Sequence, residues 1–167
     1  VEKGAVPGEW YSPTQPFVTK PPAFERQGVS IDDLIDFTPE LRAEAVKLVQ
    51  QYKIGPLFTP PVVSKWEGPR ATLMLPNVTG GANWQGGSLD PETNYFYIFS
   101  NTSVSALGLM PGDGTKSDML YVRGFASDPN DKSGRPAFPN TNVQNLPLIK
   151  PPYGRITAID LNTGDHR

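Results

Sequence analysis

A mostly-β architecture of short strands and long loops, broken by one helical stretch, is the fold class that the residues predict. Short apolar runs at Ala71–Leu75, Tyr95–Phe99, Met119–Val122 and Arg155–Leu161 are separated by clusters of Gly, Pro, Asn and Asp, a spacing that suits sandwiches and propellers. Pro (19) and Gly (16) together exceed a fifth of the 167 residues, which favours irregular connections over long regular elements. Helical periodicity is confined to residues 30–54.

The bulk properties exclude several function classes. Net charge is -2 with an isoelectric point near 5.4, and no block of Lys or Arg occurs, so the footprint of a nucleic-acid binder is missing. No apolar run reaches the roughly 18 residues of a membrane-spanning helix. Cys is absent, which removes disulfides, thiolate catalysis and cysteine metal sites from this stretch without settling the compartment. The chain opens on Val1 with neither an initiator Met nor a signal-peptide pattern, so the natural start is expected to lie upstream.

Residues 1–29 read as an extended segment. Pro7, Pro13, Pro16, Pro21 and Pro22 forbid a helix and force their predecessors into extended shapes. Trp10, Tyr11, Phe17 and Phe24 alternate with them, as expected of a strap held on a surface by its aromatics; a polyproline-type ligand for a separate partner is the competing reading. Ser30 caps a short turn over Ile31 to Phe37, with Asp33 in the capping-box position. Thr38 then caps a second helix that carries Pro39 at its first position and Glu40 beside the positive dipole end. Leu41, Ala45, Leu48 and Tyr52 form its apolar stripe, and Gly55–Pro56 ends it. A single helix of this size is expected to be a docked insertion.

Residues 55–167 are expected to be strands and loops, with 101–118 and 124–153 as long loops. Gly87 to Phe99 and Gly154 to Arg167 look like two similar strand units. The final stretch, Gly154 to Arg167, reads as a strand entering a tight turn at Asn162, Thr163 and Gly164. No returning strand follows it, so the chain is expected to be a piece of a larger β assembly.

No self-contained catalytic constellation is visible. His166 is the only histidine, which excludes a catalytic triad or multi-histidine metal site here and leaves it as a loose terminal side chain. The acidic loops Gly112–Asp118 and Asp128–Gly134 do not follow EF-hand spacing and read as solvated turns rather than calcium loops. Gly80-Gly-Ala-Asn-Trp-Gln-Gly-Gly87 is more informative. Its glycines permit close backbone approach around Trp84, either as the approach to a strand with a core Trp or as the floor of a ligand site; dinucleotide-loop spacing is absent. Asn101, after the strand that follows Asp90–Pro91, offers both a donor and an acceptor to a planar ligand.

The order of several pieces adds a resemblance. Ser12-Pro-Thr-Gln-Pro-Phe17, Lys20-Pro-Pro22, Leu57-Phe-Thr-Pro-Pro61, the Gly80–Gly87 stretch with Leu89-Asp-Pro91, and Pro152-Tyr-Gly-Arg-Ile-Thr-Ala-Ile-Asp160 together resemble the quinoprotein dehydrogenases, most closely their membrane-bound glucose dehydrogenase branch. The similarity runs through nearly the whole chain. It implies a partial eight-bladed β-propeller, here of about two blades, with a helical insertion and long Pro/Gly-rich loops. Ala158, Asp160 and Gly164 look like the first members of the pattern that docks neighbouring blades, whose closing Trp would come after Arg167.

The same resemblance implies pyrroloquinoline quinone (PQQ) and Ca²⁺ in an intact parent, a periplasmic location, and a sugar or alcohol substrate. Hydride would pass to the quinone, and electrons onward to ubiquinone or another acceptor. Among functional residues, Asn101 matches an Asn that contacts PQQ in relatives, and Asn83 and Trp84 fall in the matching stretch before the strand. The catalytic Asp, its basic partner, the stacking Trp and the calcium ligands have no match here. No catalytic or metal residue is therefore expected, and the segment alone should neither hold the cofactor nor turn over. Its partners would be the remainder of the propeller, the substrate and the acceptor. A non-catalytic propeller that serves as a binding scaffold is the alternative.

Overall fold

The structure is a computed structural model that describes residues 1–167. A 3₁₀ turn at Ile31–Asp33 precedes α1 (Pro39–Val49). Both begin as their caps dictate. The Ser30 backbone N–H and hydroxyl donate to the Asp33 carboxylate at 2.8 and 2.7 Å. The Thr38 hydroxyl oxygen accepts the Leu41 N–H at 3.2 Å, while Pro39 occupies a position whose missing N–H costs the helix nothing.

Nine strands follow: β1 (Val62–Val63), β2 (Thr72–Met74), β3 (Gly87–Asp90), β4 (Tyr95–Asn101), β5 (Ser105–Pro111), β6 (Tyr121–Arg123), β7 (Asn142–Val143), β8 (Leu146–Pro147) and β9 (Gly154–Asp160). They form a three-stranded antiparallel sheet in the order β3-β4-β9, a four-stranded sheet built on β5, and the small β7-β8 hairpin. β5 pairs antiparallel with β2 and β6 and parallel with β1. No sheet closes on itself, and no helix is long and apolar enough to cross a membrane.

The core lies around the helix. Fourteen buried residues form it, among them Leu34, Ile35, Leu41, Ala45, Val49, Leu73, Val143, Leu148 and Ile149. The expected docked insertion is thus part of the hydrophobic core, since Leu41, Ala45 and Val49 of α1 share one cluster with Leu73 of β2, Val143 of β7, Leu148 and Ile149. The Tyr52 hydroxyl adds a polar tie, donating to the Asn140 carbonyl at 2.9 Å.

Four expectations are corrected. The stretch 101–118 is not loop throughout, since β5 occupies Ser105–Pro111 and is the strand on which the largest sheet is assembled. The two strand units Gly87–Phe99 and Gly154–Arg167 are not separate: β4 and β9 are neighbours in one sheet, in register from Tyr95↔Asp160 to Asn101↔Gly154. The last turn does have a returning segment. Gly164, at φ +73°, reverses the chain so that Arg167 N–H donates to the Ala158 carbonyl at 2.9 Å, and Arg167 pairs with Asp160 at 2.9 Å. His166 is not loose either, as its Nε2 lies 3.0 Å from the Pro22 carbonyl oxygen.

Of the strap expected over residues 1–29 on its aromatics, residues 20–29 are tied to the rest of the chain by polar groups. Lys20 pairs with Asp165 at 3.0 Å, Arg26 donates to the Lys150 carbonyl at 2.7 Å, and Gly28 N–H donates to the Leu75 carbonyl at 2.6 Å. Upstream, Trp10 and Val18 stay exposed and Phe17 touches Phe58 edge-on at 5.5 Å.

Candidate functional site

The C-terminal end of β4 and the loop 77–86 meet at a cleft of about 150 Å³, lined by Asn77, Thr79, Gly81, Asn83, Phe99 and Asn101, among others. The loop is shaped by its asparagines. Asn77 Oδ1 accepts from the Thr79 N–H at 2.8 Å and from its hydroxyl at 2.6 Å, while Asn77 Nδ2 donates to Ser103. Asn83 Nδ2 donates to the Thr79 carbonyl at 2.8 Å, and Asn83 Oδ1 accepts the Trp84 N–H at 2.8 Å. These side chains thus hold the loop's own turns. The loop is then fixed to the strand where Asn101 N–H donates to the Gly81 carbonyl at 2.7 Å.

Asn101 is exposed and its carboxamide is free of partners within the chain, unlike those of Asn77 and Asn83. It also borders a second cleft of about 290 Å³ with Thr102, Val104, Leu148 and Tyr153. Of the residues expected at a site, Asn83 and Asn101 share the first cleft. Trp84 does not line it and is 91% exposed, which rules out a core Trp packed by this chain.

Behind the cleft lies a charged cluster that local sequence signals miss. Glu25, 7% exposed, accepts from the Ser100 hydroxyl at 2.8 Å, the Thr102 hydroxyl at 2.6 Å and Arg155 at 2.6 Å. The Arg26 backbone N–H adds a fourth bond at 2.8 Å. Burial opposes ionisation of this carboxyl. The hydrogen bonds from Thr102, Arg26 and Ser100, with the Arg155 charge, outweigh it and hold Glu25 below the usual carboxylate range. Its three side-chain partners lie 75 or more residues away along the chain.

The acidic loops behave as solvated turns. Asp113 accepts from the Thr115 and Lys116 N–H groups, Asp128 from Asn130 and Asp131 from Ser133.

The family profile described as "PQQ: Glucose/ethanol/alcohol dehydrogenase, beta-propeller domain" matches residues 1–167. The chain belongs to this PQQ-dependent dehydrogenase family. Among curated proteins it is similar to the glycerol dehydrogenase large subunit of Gluconobacter oxydans (strain 621H), with 27% identity over 184 residues, covering 96% of this chain and 23% of the relative. The quinate/shikimate dehydrogenase (quinone) of Acinetobacter baylyi is 27% identical over 168 residues, covering 95% of this chain and 20% of the relative. A glycerol dehydrogenase large subunit from Gluconobacter thailandicus is 28% identical over 191 residues, with 96% and 23% covered. The chain therefore spans about a fifth to a quarter of the length of these relatives. No solved structure matches it.

The fit to the family's cofactor can be tested on the cleft. A pocket for a drug-sized ligand is roughly 300–1,000 Å³, and the first cleft is about 150 Å³. Its residues fit one wall of such a site, with a free carboxamide as donor and acceptor. No Lys or Arg lines it, so countercharges for an anionic cofactor have to come from outside this chain's cleft residues.

Proposed function

We propose that this chain forms one wall of the PQQ site in a dehydrogenase that oxidises a hydroxyl group, with Asn101 as its contact to the cofactor. The observation that carries the reading is the unpaired Asn101 carboxamide, held at the end of β4 where two clefts meet. Every other asparagine side chain on the cleft is hydrogen-bonded within the chain. Asn83 shapes the rim, and Trp84 beside it presents a stacking face.

PQQ supplies the quinone that takes up the two electrons of the oxidised alcohol carbon. This chain's part is to orient and bind. The carboxylate base and any Ca²⁺ ligands belong to residues other than those of this chain, which is inactive by itself on this reading. The names of the relatives, for glycerol and for quinate and shikimate, support a polyol or polyhydroxy-acid substrate over the aldose of the glucose dehydrogenase branch. A quinone acceptor and a periplasmic location belong to the same reading.

The test is PQQ titration of the full-length apo-enzyme that carries this chain. Asn101→Ala is expected to weaken PQQ binding about tenfold, the value of one hydrogen bond to a charged or strongly polar group. Unchanged cofactor affinity and unchanged turnover would remove Asn101 from the site. A full-length protein that yields no holoenzyme absorbance would point instead to a non-catalytic scaffold.

A further inference from the structure

We propose that Glu25 is the positioning residue for this wall: its buried carboxylate clamps the two neighbours of Asn101 and so fixes the free carboxamide in the cleft. The inference rests on the assignment of Asn101 to the cofactor wall, and it deepens that assignment by naming what holds the residue in place.

Side chains alternate across a strand. Ser100 and Thr102, on either side of Asn101, both donate to the Glu25 carboxylate, the first to Oε2 and the second to Oε1. Both are almost fully buried, at 0% and 3% exposure. Asn101 between them is exposed and opens on the opposite side. The clamp is double across the ladder as well. Arg155, which also donates to Glu25 Oε1, is the cross-strand partner of Ser100, and the next pair is Asn101↔Gly154.

Glu25 also supports the far side of the cleft. A Cβ added at Gly81 would lie 2.9 Å from Glu25 Cγ, so the loop comes down onto the Glu25 side chain because position 81 has none. The Gly81 carbonyl is the acceptor for Asn101 N–H. One carboxylate thus sets both the strand end and the loop that meets it. With three donors on Oε1 and one on Oε2 and only 7% exposure, Glu25 is turned to the chain's own donors and shielded from a ligand, which makes it a support rather than a proton acceptor for substrate.

The experiment is a double-mutant cycle in the full-length apo-enzyme, read by PQQ titration and by the apo-enzyme's melting temperature. Glu25→Gln keeps the shape but supplies an NH₂ where a donor points. It is expected to weaken PQQ binding about tenfold in the wild-type background and less than about twofold once Asn101→Ala is present, because coupled residues are not additive. If Asn101→Ala weakens binding but Glu25→Gln does not, the positioning role is wrong and the wall assignment stands. Additive losses would equally overturn positioning, leaving Glu25 with a general structural role. Should Asn101→Ala itself have no effect, the wall assignment is what fails. If Glu25→Gln does not fold, Thr102→Val removes a single donor and leaves the Glu25–Arg155 pair intact. A loss of PQQ affinity of about threefold, cancelled by Asn101→Ala, supports the proposal, and an unchanged affinity overturns it.

Discussion

The helix-centred core and the β3-β4-β9 sheet are built from the same kinds of side chain and end up in opposite situations. Leu34, Ile35, Leu148 and Ile149 are sealed at 0–1% exposure by elements of this chain. The sheet has the longest ladder in the molecule, with seven β4–β9 residue pairs, yet Tyr97, Phe99 and Ile156 remain 39%, 53% and 75% exposed. Backbone pairing and packing are separate achievements, and this chain completes both only around α1. Along β4, Tyr95, Tyr97 and Phe99 alternate with Phe96 and Ile98, so both faces are apolar. That is the pattern of a sheet covered on each side rather than one facing water. The geometry agrees with a propeller blade, whose faces are buried by its neighbours.

The largest effect should come from the closed region. Leu34 is fully buried, and the chain beside it is tied through Ile35 N–H to the Leu148 carbonyl at 2.8 Å. Leu34→Ala removes apolar contact and leaves a cavity, at a cost of about 2–5 kcal/mol. The check is a urea titration, in which the midpoint should fall while the slope stays constant. A change under about 1 kcal/mol would mean that the helix region is loosely assembled and that the contrast with the sheet is not real.

How far the sequence foretold these two regions differs for a physical reason. Capping is local chemistry, and Ser30, Asp33, Thr38 and Pro39 placed the turn and α1 where they occur. Short apolar runs likewise marked β2, β4, β6 and β9. β5 was hidden because Ser105-Ala-Leu-Gly-Leu-Met-Pro111 lacks β-branched residues, carries Gly108 in its middle and ends in Pro. Its strand character comes from β1, β2 and β6 around it. That α1 packs into the main core depends in part on Val143, Leu148 and Ile149, about a hundred positions away. In the candidate site, Asn101 and Asn83 stood out as residue types at a strand end and in a glycine-rich loop. Glu25 could not, since nothing local in Phe24-Glu25-Arg26 shows that Ser100, Thr102 and Arg155 converge on it.

Glu25 links the strap to the open sheet, and its loss should rank second. Glu25→Ala leaves the buried Ser100 and Thr102 hydroxyls without an acceptor, at a cost of about 1–3 kcal/mol for unsatisfied groups. The same carboxylate confers an acid sensitivity. Its folded-state value lies below the ordinary 4.5, so its contribution is complete above that pH and disappears as the pH falls through the lowered folded value. Asp113, Asp131 and Asp160 are shifted the same way by local hydrogen bonds and Asp165 by its bond from Lys20, and so the wild type and Glu25→Gln have to be compared directly. Below pH 4.5 the difference in stability between them should shrink. A difference that stays constant down to pH 2 would show that the Glu25 charge is not what joins strap and sheet.

The smallest effect is the most diagnostic for the open region. Ile156 lies on β9 opposite Phe99 and is 75% exposed. Ile156→Thr keeps the β-branched shape that suits a strand while removing apolar surface. In the 167-residue chain the change in stability should stay within about 0.5 kcal/mol, as for an ordinary exposed position, and self-association seen by light scattering should decrease because a sticky face has been made polar. In a longer protein that packs another sheet on this face, the same substitution should cost about 1–3 kcal/mol, the value of a buried apolar side chain. The gap between the two settings measures the missing cover. If the cost is already 1–3 kcal/mol in the 167-residue chain, the sheet is covered by the chain itself or by a second copy of it. Sedimentation at several concentrations separates those two cases.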